Sequence, residues 1–259
     1  MVLIIAIYLN MERIINPKIS IITICYNCAE ELERTIKSVL LQSYTNIEYI
    51  VVDGGSNDAT SDVIKKYANA ITLWVSEPDN GIYNAMNKGI RMMGGDWVNF
   101  MNAGDVFHDN NVISRFVETI GNKNNIVLAY GKTLSIEKGV KSEYKTYPLS
   151  TITYRTPFCH QSVFIKNLGK EIMYDEQYRI VADYALFYNL YYKYGADSFL
   201  QMEFVVAEYD ITDGLSKNPK FKYEQQRERL NIRSRHKDLR WYYEVIKYFV
   251  KVLWLGAQL

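Results

Sequence analysis

The sequence predicts an α/β fold with a mostly parallel central sheet, helices on both faces of that sheet, and a helical tail at the C-terminus. In the first 120 residues, short β-branched runs alternate with segments of helical spacing, and this alternation is typical of parallel strands joined by crossover helices. The chain has 259 residues, of which 48% are hydrophobic and 23% charged. This composition is typical of globular proteins, and the length suits one large α/β domain or two small ones.

Each element of the first half has its own pattern. The first strand is a β-branched run just after Pro17, and the first helix has apolar residues at Leu32, Ile36 and Val39, which is helical spacing. The predicted strands are 19–24, 47–52, 71–75 and 97–101, and the predicted helices are 30–41, 57–68, 81–92 and a segment around 113–120. After residue 125 the pattern predicts shorter strands such as 126–130 and 199–206, a helix from about 183 to 194, and a charged helical segment from 223.

The residues directly after the first strand argue against several classes of protein. A dinucleotide-binding domain needs G-x-G-x-x-G there, and a P-loop needs G-x-x-x-x-G-K-[ST]. This chain has Cys25-Tyr-Asn-Cys28 at that position, with no glycine. The three cysteines are an odd number, which argues against a disulfide framework, and zinc is disfavoured because no second C-x-x-C is present. The net charge of +1 gives no nucleic-acid signature.

Polar residues lie after each predicted strand of the first half. They are Tyr26-Asn27, Asp53-Gly54-Gly55, Glu77-Pro78-Asp79 and the segment 102–105. Ligands of open α/β sheets bind beyond the carboxyl ends of the strands, so this clustering predicts where the site lies. We expect Ser56 or Asn57 to cap the helix after Asp53. The carboxylate of Asp53 itself needs a partner, for which the base or ribose of a nucleotide is the hypothesis.

Six short segments occur in an order and at a spacing that match a known family. They are 17–27 (PKISIITICYN), 50–60 (IVVDGGSNDAT), 76–89 (SEPDNGIYNAMNKG), 100–105 (FMNAGD), 159–161 (CHQ) and 182–184 (ADY). From residue 17 to about residue 195 the chain resembles the family 2 glycosyltransferases, of the kind found in bacterial O-antigen, capsule and exopolysaccharide synthesis. Several motifs in register are a more specific signal than any one motif alone.

The resemblance implies a fold of the GT-A type, which is a single α/β domain. We therefore expect this domain over residues 17–215, with a nucleotide-binding half at 17–106 and an acceptor-binding half at 107–215. Residues 1–16 are an apolar extension, whose apolar stretch is too short to span a bilayer and lacks the basic region of a cleaved signal peptide. Residues 216–259 are expected to form a basic amphipathic helical tail.

The resemblance also implies roles for individual residues. The residues carried over to binding of the nucleotide or the donor sugar are Thr23, Tyr26, Asn27, Asp53, Asp79, Asn80, Lys88, Asn102, Ala103 and Gly104. Asp105 matches the last acidic residue of the family's metal-binding motif, and Asp183 matches the general base. His160 and Gln161 are expected to contact the acceptor or the diphosphate. A loop clasp is the alternative for His160, because a lone histidine is more often structural than catalytic.

The chemistry of sugar transfer agrees with these roles. A nucleoside diphosphate is a poor leaving group unless its developing negative charge is neutralised, and a divalent ion does this as a Lewis acid. Oxygen ligands such as the Asp105 carboxylate suit Mg²⁺ or Mn²⁺. The acceptor hydroxyl must lose its proton as it attacks, which calls for a carboxylate base such as Asp183. The chain departs from the family at one point: Asn102, Ala103 and Gly104 occupy positions where many relatives carry acids, and weak metal affinity without nucleotide is expected.

The sequence therefore predicts an inverting glycosyltransferase that uses a nucleotide diphosphate sugar. UDP is the expected nucleotide, with GDP and dTDP left open. The expected acceptor is a glycan or lipid-linked glycan in cell-surface polysaccharide synthesis. Two alternatives stay open at this point: a sugar nucleotidyltransferase, which would release pyrophosphate, and a non-catalytic protein that binds sugars or nucleotide-sugars.

The C-terminal tail is basic and amphipathic. Between residues 217 and 251 there are eleven Lys or Arg against four Asp or Glu. Apolar residues recur at helical spacing at Tyr242, Val245, Ile246, Phe249 and Leu253. A helix of this kind lies on an anionic membrane surface, so we expect peripheral contact with the cytoplasmic face of a membrane. The alternative is a helix packed on its own domain or on a dimer partner.

Overall fold

The structure, a computed structural model, describes residues 16–211, 219–237 and 239–256. The expected apolar extension at 1–16 lies outside the described residues apart from Asn16. The expected boundary between domain and tail, near residue 215, also lies outside them. The limits proposed for the domain and for its two halves therefore stay predictions.

The chain alternates strands and helices. The strands are β1 (Ile19–Cys25), β2 (Ile47–Asp53), β3 (Leu73–Ser76), β4 (Trp97–Phe100), β5 (Val106–Phe107), β6 (Leu128–Glu137), β7 (Val140–Glu143), β8 (Val163–Lys166) and β9 (Phe199–Asp210). The helices are α1 (Ala29–Leu40), α2 (Thr60–Lys66), α3 (Ile82–Met92), α4 (Val112–Ile120), α5 (Ala182–Tyr194), α6 (Lys222–Arg233) and α7 (Leu239–Gly256). Short 3-10 helices lie at Leu149–Thr153, His160–Ser162, Gly169–Ile172, Ala196–Ser198 and Pro219–Phe221.

These strands form one sheet in the order β3-β2-β1-β4-β8-β6-β9-β5, with β7 paired to β6. The first four strands in this order are parallel. The later strands add antiparallel pairs of β8 with β4 and β6, of β5 with β9, and of β7 with β6. The predicted α/β fold is confirmed. The first four strands are parallel throughout. The rest of the sheet is mixed, because β6 and β9 also pair in parallel, and helix α5 lies between them in the chain.

Helices cover both faces of the sheet, as predicted. In β1, Ile22 and Ile24 pack on the side of α3 and α5, whereas Ile19 and Ile21 pack on the side of α1, α2 and α4. Because both faces are covered, every residue of β1 is buried. A strand that is buried on both faces is largely apolar and does not alternate regularly with polar residues, which explains the nearly continuous run of β-branched residues in the sequence.

The loop after β2 differs from its prediction. Helix α2 begins at Thr60, whose N–H donates to the side-chain Oδ1 of Asp58 at 2.9 Å. Ser56 instead donates its N–H and its hydroxyl to the Asp53 carboxylate, and the N–H of Asn57 donates to Asn27 Oδ1 at 2.9 Å. The expectation that Ser56 or Asn57 caps the helix was wrong, because both residues tie the loop to the ends of β1 and β2.

The first tail helix, α6, packs against the main domain. Glu228 of α6 is buried. Its carboxylate accepts the N–H groups of Arg179 at 2.8 Å and of Ile180 and Val181 at 3.1 Å, directly before the N-terminus of α5. A carboxylate at this end of a helix also interacts favourably with the helix dipole. For α6, packing on its own domain is therefore the correct interpretation.

The second tail helix, α7, is attached to α6 and is otherwise largely exposed. Trp241 Nε1 donates to the carbonyl of Leu230 at 2.8 Å. The apolar side chains of α7 that are exposed are Leu239, Tyr242, Tyr243, Ile246, Phe249, Val250 and Val252. Within the described part of the chain, no helix has the length and apolar character needed to cross a bilayer.

Loss of the Glu228 carboxylate should loosen the tail from the domain. We expect Glu228→Ala to lower the free energy of unfolding by roughly 2–4 kcal/mol, because three backbone N–H groups lose a charged acceptor. Urea denaturation followed by circular dichroism measures this. Glu224→Ala is the matched control on the same helix, since its ion pair with Arg227 is partly exposed, and it should cost no more than about 0.5 kcal/mol. Equal effects of the two substitutions would contradict this role of Glu228.

Candidate active site

A cleft of about 890 Å³ opens beyond the carboxyl end of β4. It is lined by the loop after β4, the segment 158–161, the start of α5 and part of α6. Of the predicted site residues, those that line it are Asn102, Ala103, Gly104, Asp105, His160, Gln161 and Asp183. The others, which belong to β1 to β3 and α3 or to the loops beside them, do not line this cleft: Thr23, Tyr26, Asn27, Asp53, Asp79, Asn80 and Lys88.

Tyr26 and Asp79 lie together at the ends of β1 and β3. Tyr26 is 61% exposed. A Cβ atom added to Gly54 would lie 2.5 Å from Asp79 Oδ2 and 3.3 Å from a ring carbon of Tyr26. The glycine therefore allows both side chains to approach the end of β2. An exposed aromatic ring beside a carboxylate is a suitable surface for a planar base and a ribose hydroxyl, so the structure is consistent with the expected roles of these two residues.

Asp53 already has partners within the protein. It is fully buried, and its carboxylate accepts the N–H and hydroxyl of Ser56 and the hydroxyl of Ser76. The argument that Asp53 needs a nucleotide as its partner was therefore wrong. In this structure the carboxylate fixes the loop after β2 against β3, and a direct contact with the base stays a prediction.

Thr23 and Lys88 also have structural roles. Thr23 is fully buried, and its hydroxyl donates to the carbonyl of Met101 at 2.7 Å, so a contact of this residue with a donor stays a prediction. Lys88 Nζ donates to the carbonyl of Pro78 at 2.8 Å and lies 2.9 Å from Glu77 Oε1. Lys88 thereby holds the loop that carries Asp79.

Asn27 and Asn80 shape the two loops at this edge. Asn27 has a φ of 49°, in the left-handed region that asparagine tolerates better than most residues. The N–H of Asn80 donates to Asn84 Oδ1 at 3.3 Å, and that of Gly81 donates to Asp79 Oδ1 at 2.9 Å. Both asparagines thus lie beside the candidate base-binding residues, and their contact with a donor stays a prediction.

Asp105 is a buried carboxyl group of the cleft with a strongly raised pKa. It is only 4% exposed, and burial raises its pKa to about 8. Hydrogen bonds from the Gln161 side chain and the Asp210 backbone, together with the charge of Arg34, act to lower this pKa, whereas the Asp210 carboxylate raises it. A carboxylate held in such surroundings has a strong electrostatic need for a cation.

Asp210 is a site residue that the sequence analysis missed. Antiparallel pairing of Val106 with Glu208 brings the residue before β5 next to the end of β9. The sequence pattern ended this strand at residue 206, whereas β9 continues to Asp210. The rule that polar groups gather at strand ends would have found Asp210 if the strand had been given its full length.

The donor atoms around Asp105 fit a divalent cation. The side-chain oxygen Oδ1 of Asn102 is buried and has no hydrogen-bond partner, and the carboxylates of Asp105 and Asp210 line the same cleft. Carboxylate and amide oxygens suit Mg²⁺ or Mn²⁺, and Mg²⁺ keeps several ligand positions for water or phosphate. The described residues contain no group of three His, Cys, Asp or Glu arranged for a metal, so the remaining ligands would have to come from substrate and water.

Asp183 lies in the first turn of α5 and faces the cleft. Its Oδ1 accepts the N–H of Tyr184 at 2.7 Å and lies 3.4 Å from the hydroxyl of Tyr83. One carboxylate oxygen is thus oriented by the protein. The position matches that expected of a base that takes a proton from a substrate in the cleft.

His160 and Gln161 line the cleft and also make contacts within the protein. His160 Nε2 lies 2.6 Å from the hydroxyl of Tyr174, and its ring stacks on Phe100. Burial lowers the pKa of His160, and the charge of Asp183 opposes this. The side-chain oxygen of Gln161 accepts a hydrogen bond from the Cys159 thiol at 2.9 Å. The Gln161 side chain also donates a hydrogen bond to the Asp105 carboxylate. The loop-clasp alternative therefore describes His160, while Gln161 positions Asp105; their contact with substrate stays a prediction.

The cleft is also rich in arginine, which the sequence did not predict. The arginines that line it are Arg34, Arg155, Arg179, Arg229, Arg233 and Arg240. Three of them belong to the tail helices. The basic character of the tail is therefore turned in part toward the cleft, and an anionic substrate is favoured there.

Comparison with known proteins assigns the chain to a family. The family model described as glycosyl transferase family 2 matches residues 20–188. The chain belongs to glycosyltransferase family 2. An uncharacterised glycosyltransferase of Mycobacterium tuberculosis is 39% identical over 116 residues, which cover 44% of this chain and 44% of that protein. The PGL/p-HBAD biosynthesis glycosyltransferase of Mycobacterium bovis is 28% identical over 206 residues, covering 77% and 79%.

Solved structures of glycosyltransferases share the fold. S. aureus TarS in complex with UDP-GlcNAc matches 88% of this chain and 69% of its own, with a TM-score of 0.66 at 17% identity. The mannosyltransferase PcManGT of Pyrobaculum calidifontis, in complex with GDP-Man and Mn²⁺, is another match. The matched region covers 96% of this chain and 71% of that chain, with a TM-score of 0.56 at 15% identity. The GT-A-type fold expected for a family 2 glycosyltransferase is thereby confirmed.

The buried Asp105 should make this family 2 protein less stable as the pH rises. In the unfolded chain an aspartate has a pKa near 3.9, whereas the pKa of Asp105 is about 8 in the folded protein. From about pH 4 to pH 8 the folded protein retains a proton that the unfolded chain has lost. The free energy of unfolding should therefore fall by up to about 1.4 kcal/mol per pH unit through this group.

Substitution of Asp105 tests this directly. We measure the free energy of unfolding of Asp105→Asn and of wild type by urea denaturation in EDTA, and take the variant minus the wild type. We expect this difference to be about 1–3 kcal/mol larger at pH 7.5 than at pH 5. Asp62→Asn is the control, because its side chain is 78% exposed and its charge stays in water. A difference between Asp105→Asn and wild type that is the same at both pH values would contradict the burial of an uncompensated carboxyl group.

Proposed function

We propose that this protein transfers a sugar from a UDP-sugar to a hydroxyl group of a glycan or lipid-linked glycan, with inversion at the anomeric carbon. The observation that carries the proposal is that Asp105 and Asp183 line one cleft, so a metal-binding carboxylate and a base can act on the same substrate. The complex of TarS with UDP-GlcNAc supports a uridine nucleotide, and membership of a glycosyltransferase family disfavours both a nucleotidyltransferase and a non-catalytic binding protein.

The donor is proposed to bind at the carboxyl ends of β1 to β4. Tyr26 packs on the base, Asp79 lies near the ribose, and Asn102, Asp105 and Asp210 hold a divalent ion at the diphosphate. Such an ion, when bound, neutralises the negative charge that develops on the leaving diphosphate. The Mn²⁺ complex of PcManGT supports a divalent cation. Arg34, which donates to the carbonyl of Gly104 at 3.2 Å, adds positive charge at the same end of the cleft.

The acceptor hydroxyl is proposed to bind at Asp183. The carboxylate takes the hydroxyl proton while the acceptor oxygen forms a bond to the anomeric carbon. The bond from that carbon to the diphosphate oxygen breaks in the same step, and its electron pair leaves with the nucleoside diphosphate. A single displacement from the opposite face inverts the anomeric centre, and a positioned base contributes about 10²–10⁴ to the rate of such a step.

Asp183→Asn should abolish transfer and leave donor binding intact. We expect kcat to fall by about 10²–10⁴, measured as UDP release from candidate UDP-sugars in the presence of Mn²⁺ and a glycan acceptor. UDP with Mn²⁺ at a hundred times its Kd raises the free energy of unfolding by about 2.7 kcal/mol. Because the substitution leaves the donor site unchanged, the thermal shift of Asp183→Asn should equal that of wild type. Asp175→Asn is the control, because its carboxylate contacts Gln177 in a turn outside the cleft.

Each outcome of that assay has a distinct meaning. Near-normal turnover by Asp183→Asn would show that another group is the base. Release of pyrophosphate in place of UDP would identify a nucleotidyltransferase. If UDP, GDP and dTDP with Mn²⁺ all failed to shift the melting temperature of the wild type, the proposed donor site would be wrong.

The proposed setting is the cytoplasmic face of a membrane, in the synthesis of a cell-surface glycan. Two observations support it: the PGL/p-HBAD biosynthesis glycosyltransferase is a relative over most of the chain, and α7 exposes large apolar side chains such as Ile246 and Phe249. Nearby basic side chains such as Lys247 suit anionic lipid. An amphipathic surface of this kind places the cleft close to a lipid-linked acceptor.

Charges placed on this apolar surface should release the protein from lipid. We expect the double substitution Ile246→Glu and Phe249→Glu to weaken co-sedimentation with anionic vesicles at least about tenfold, because each buried side chain contributes roughly 1.5–3 kcal/mol. Leu41→Glu is the control, since Leu41 is 61% exposed elsewhere on the domain. Equal sedimentation of the double variant and the control would exclude α7 as the contact surface.

A further inference from the structure

One end of the cleft is formed by arginine and tyrosine side chains of the acceptor-binding half and the tail. The guanidinium carbon of Arg155 lies 4.3 Å from the ring centre of Tyr147, that of Arg240 lies 3.4 Å from Tyr154, and that of Arg229 lies 4.8 Å from Tyr184. All three arginines line the cleft. The aromatic rings hold the guanidinium groups in place through cation–π contacts.

One of these arginines has a buried atom without a hydrogen-bond partner. Nη1 of Arg229 is buried and has no hydrogen-bond partner. Among the described residues, no carboxylate forms a salt bridge with Arg155, Arg229 or Arg240. An arginine cannot lose its proton in a protein, so its charge persists without compensation. A buried charged donor without an acceptor is costly, which indicates that a ligand supplies the acceptor.

The position of Arg229 associates this ligand with the acceptor. Its guanidinium group lies on the ring of Tyr184, the residue next to Asp183. The charges of Asp183 and Arg229 both act on Tyr144, whose pKa is raised to about 12 mainly by burial. Arg229 and the proposed base are therefore neighbours across Tyr144 and Tyr184. A molecule whose hydroxyl lies at Asp183 is therefore in the same cleft as Arg229.

We propose that Arg155, Arg229 and Arg240 bind a phosphoryl group of the acceptor substrate. The inference rests on the proposed function, because it takes Asp183 as the group that receives the acceptor hydroxyl. A planar guanidinium fork binds two phosphoryl oxygens at once, with a geometry that lysine does not offer. Three such groups, one from the segment between β7 and β8 and two from the tail helices, line the same cleft. The tail thereby selects acceptors that carry a phosphoryl group, either as part of a lipid carrier or as a soluble sugar phosphate.

The test measures phosphate binding while the donor site is occupied. Methyl phosphate and geranyl phosphate are titrated by isothermal calorimetry into wild-type protein saturated with UDP and Mn²⁺. We expect binding of both, and a loss of about tenfold or more in Arg229→Gln, because a charged hydrogen bond is lost. Arg240→Gln should show a similar loss, and it replaces a surface side chain whose removal leaves the fold intact. Arg227→Gln is the matched control, since Arg227 lies on the same helix outside the cleft and pairs with Glu224.

The two probes distinguish the sources of the phosphoryl group. Tighter binding of geranyl phosphate than of methyl phosphate assigns the site to a lipid-linked acceptor. Equal binding assigns it to a soluble phosphorylated acceptor. The inference is overturned if neither probe binds to the UDP-loaded protein, or if Arg229→Gln and Arg240→Gln bind both probes as well as Arg227→Gln does. It is also overturned if the substitutions weaken UDP binding by the same factor, because the arginines would then belong to the donor site.

Failure of this inference is separable from failure of the proposed function. Binding of UDP with Mn²⁺ and release of UDP during transfer depend on the donor site and on Asp183. If these persist and the phosphate probes do not bind, only the phosphoryl site is wrong. If UDP itself does not bind, the donor site is wrong, and phosphate binding is then measured without nucleotide to test the arginines alone.

Discussion

The parallel pairing of β1 with both β2 and β4 is the constraint on which the rest of the structure depends. In-register pairing from Ile19 opposite Ile47 to Cys25 opposite Asp53 places the carboxyl ends of these strands at one edge of the sheet. The loops after β1, β2 and β4 carry Tyr26, the Asp53 partner Ser56, and the segment that ends at Asp105. Because both faces of β1 are buried, a shift of one residue would turn its apolar side chains to the wrong layers, so the register and the site geometry are fixed together.

A second interaction completes the cleft from a distant part of the chain. The Glu228 carboxylate binds three backbone N–H groups just before α5, and this contact holds α6 beside the helix that carries Asp183. Arg229 comes directly after Glu228 and lies in the cleft. One buried carboxylate thus fixes the tail and positions a cationic group at the same time. The tail is for this reason part of the candidate active site. Of the two tail helices that the structure describes, α7 is the one that presents large apolar side chains to solvent.

The cleft shows the unfavourable electrostatics that are typical of binding sites. Asp105 is buried beside a second carboxylate, Asn102 Oδ1 lacks a hydrogen-bond partner, and so does Nη1 of Arg229. Each arrangement lowers the stability of the folded protein by itself, and each becomes favourable when a cation or an anionic substrate is bound. Opposite charges are needed at the two ends of the cleft, which agrees with a metal-bound donor at one end and a phosphorylated acceptor at the other.

The sequence alone determined the α/β alternation, the parallel half of the sheet and the family, because apolar periodicity and short motifs depend on neighbouring residues. It also indicated Asp105 and Asp183 as site residues. It did not reveal Asp210, which reaches Asp105 through the antiparallel pairing of β5 and β9, or Arg229, which reaches the cleft through Glu228. It also did not reveal that Thr23 and Asp53 have partners within the protein, which are Met101 for Thr23 and Ser56 and Ser76 for Asp53. Such contacts join residues that are distant in sequence, and only the tertiary structure decides them. The physical reason is that packing determines which polar groups are hydrogen-bonded within the protein and which are left to bind a substrate.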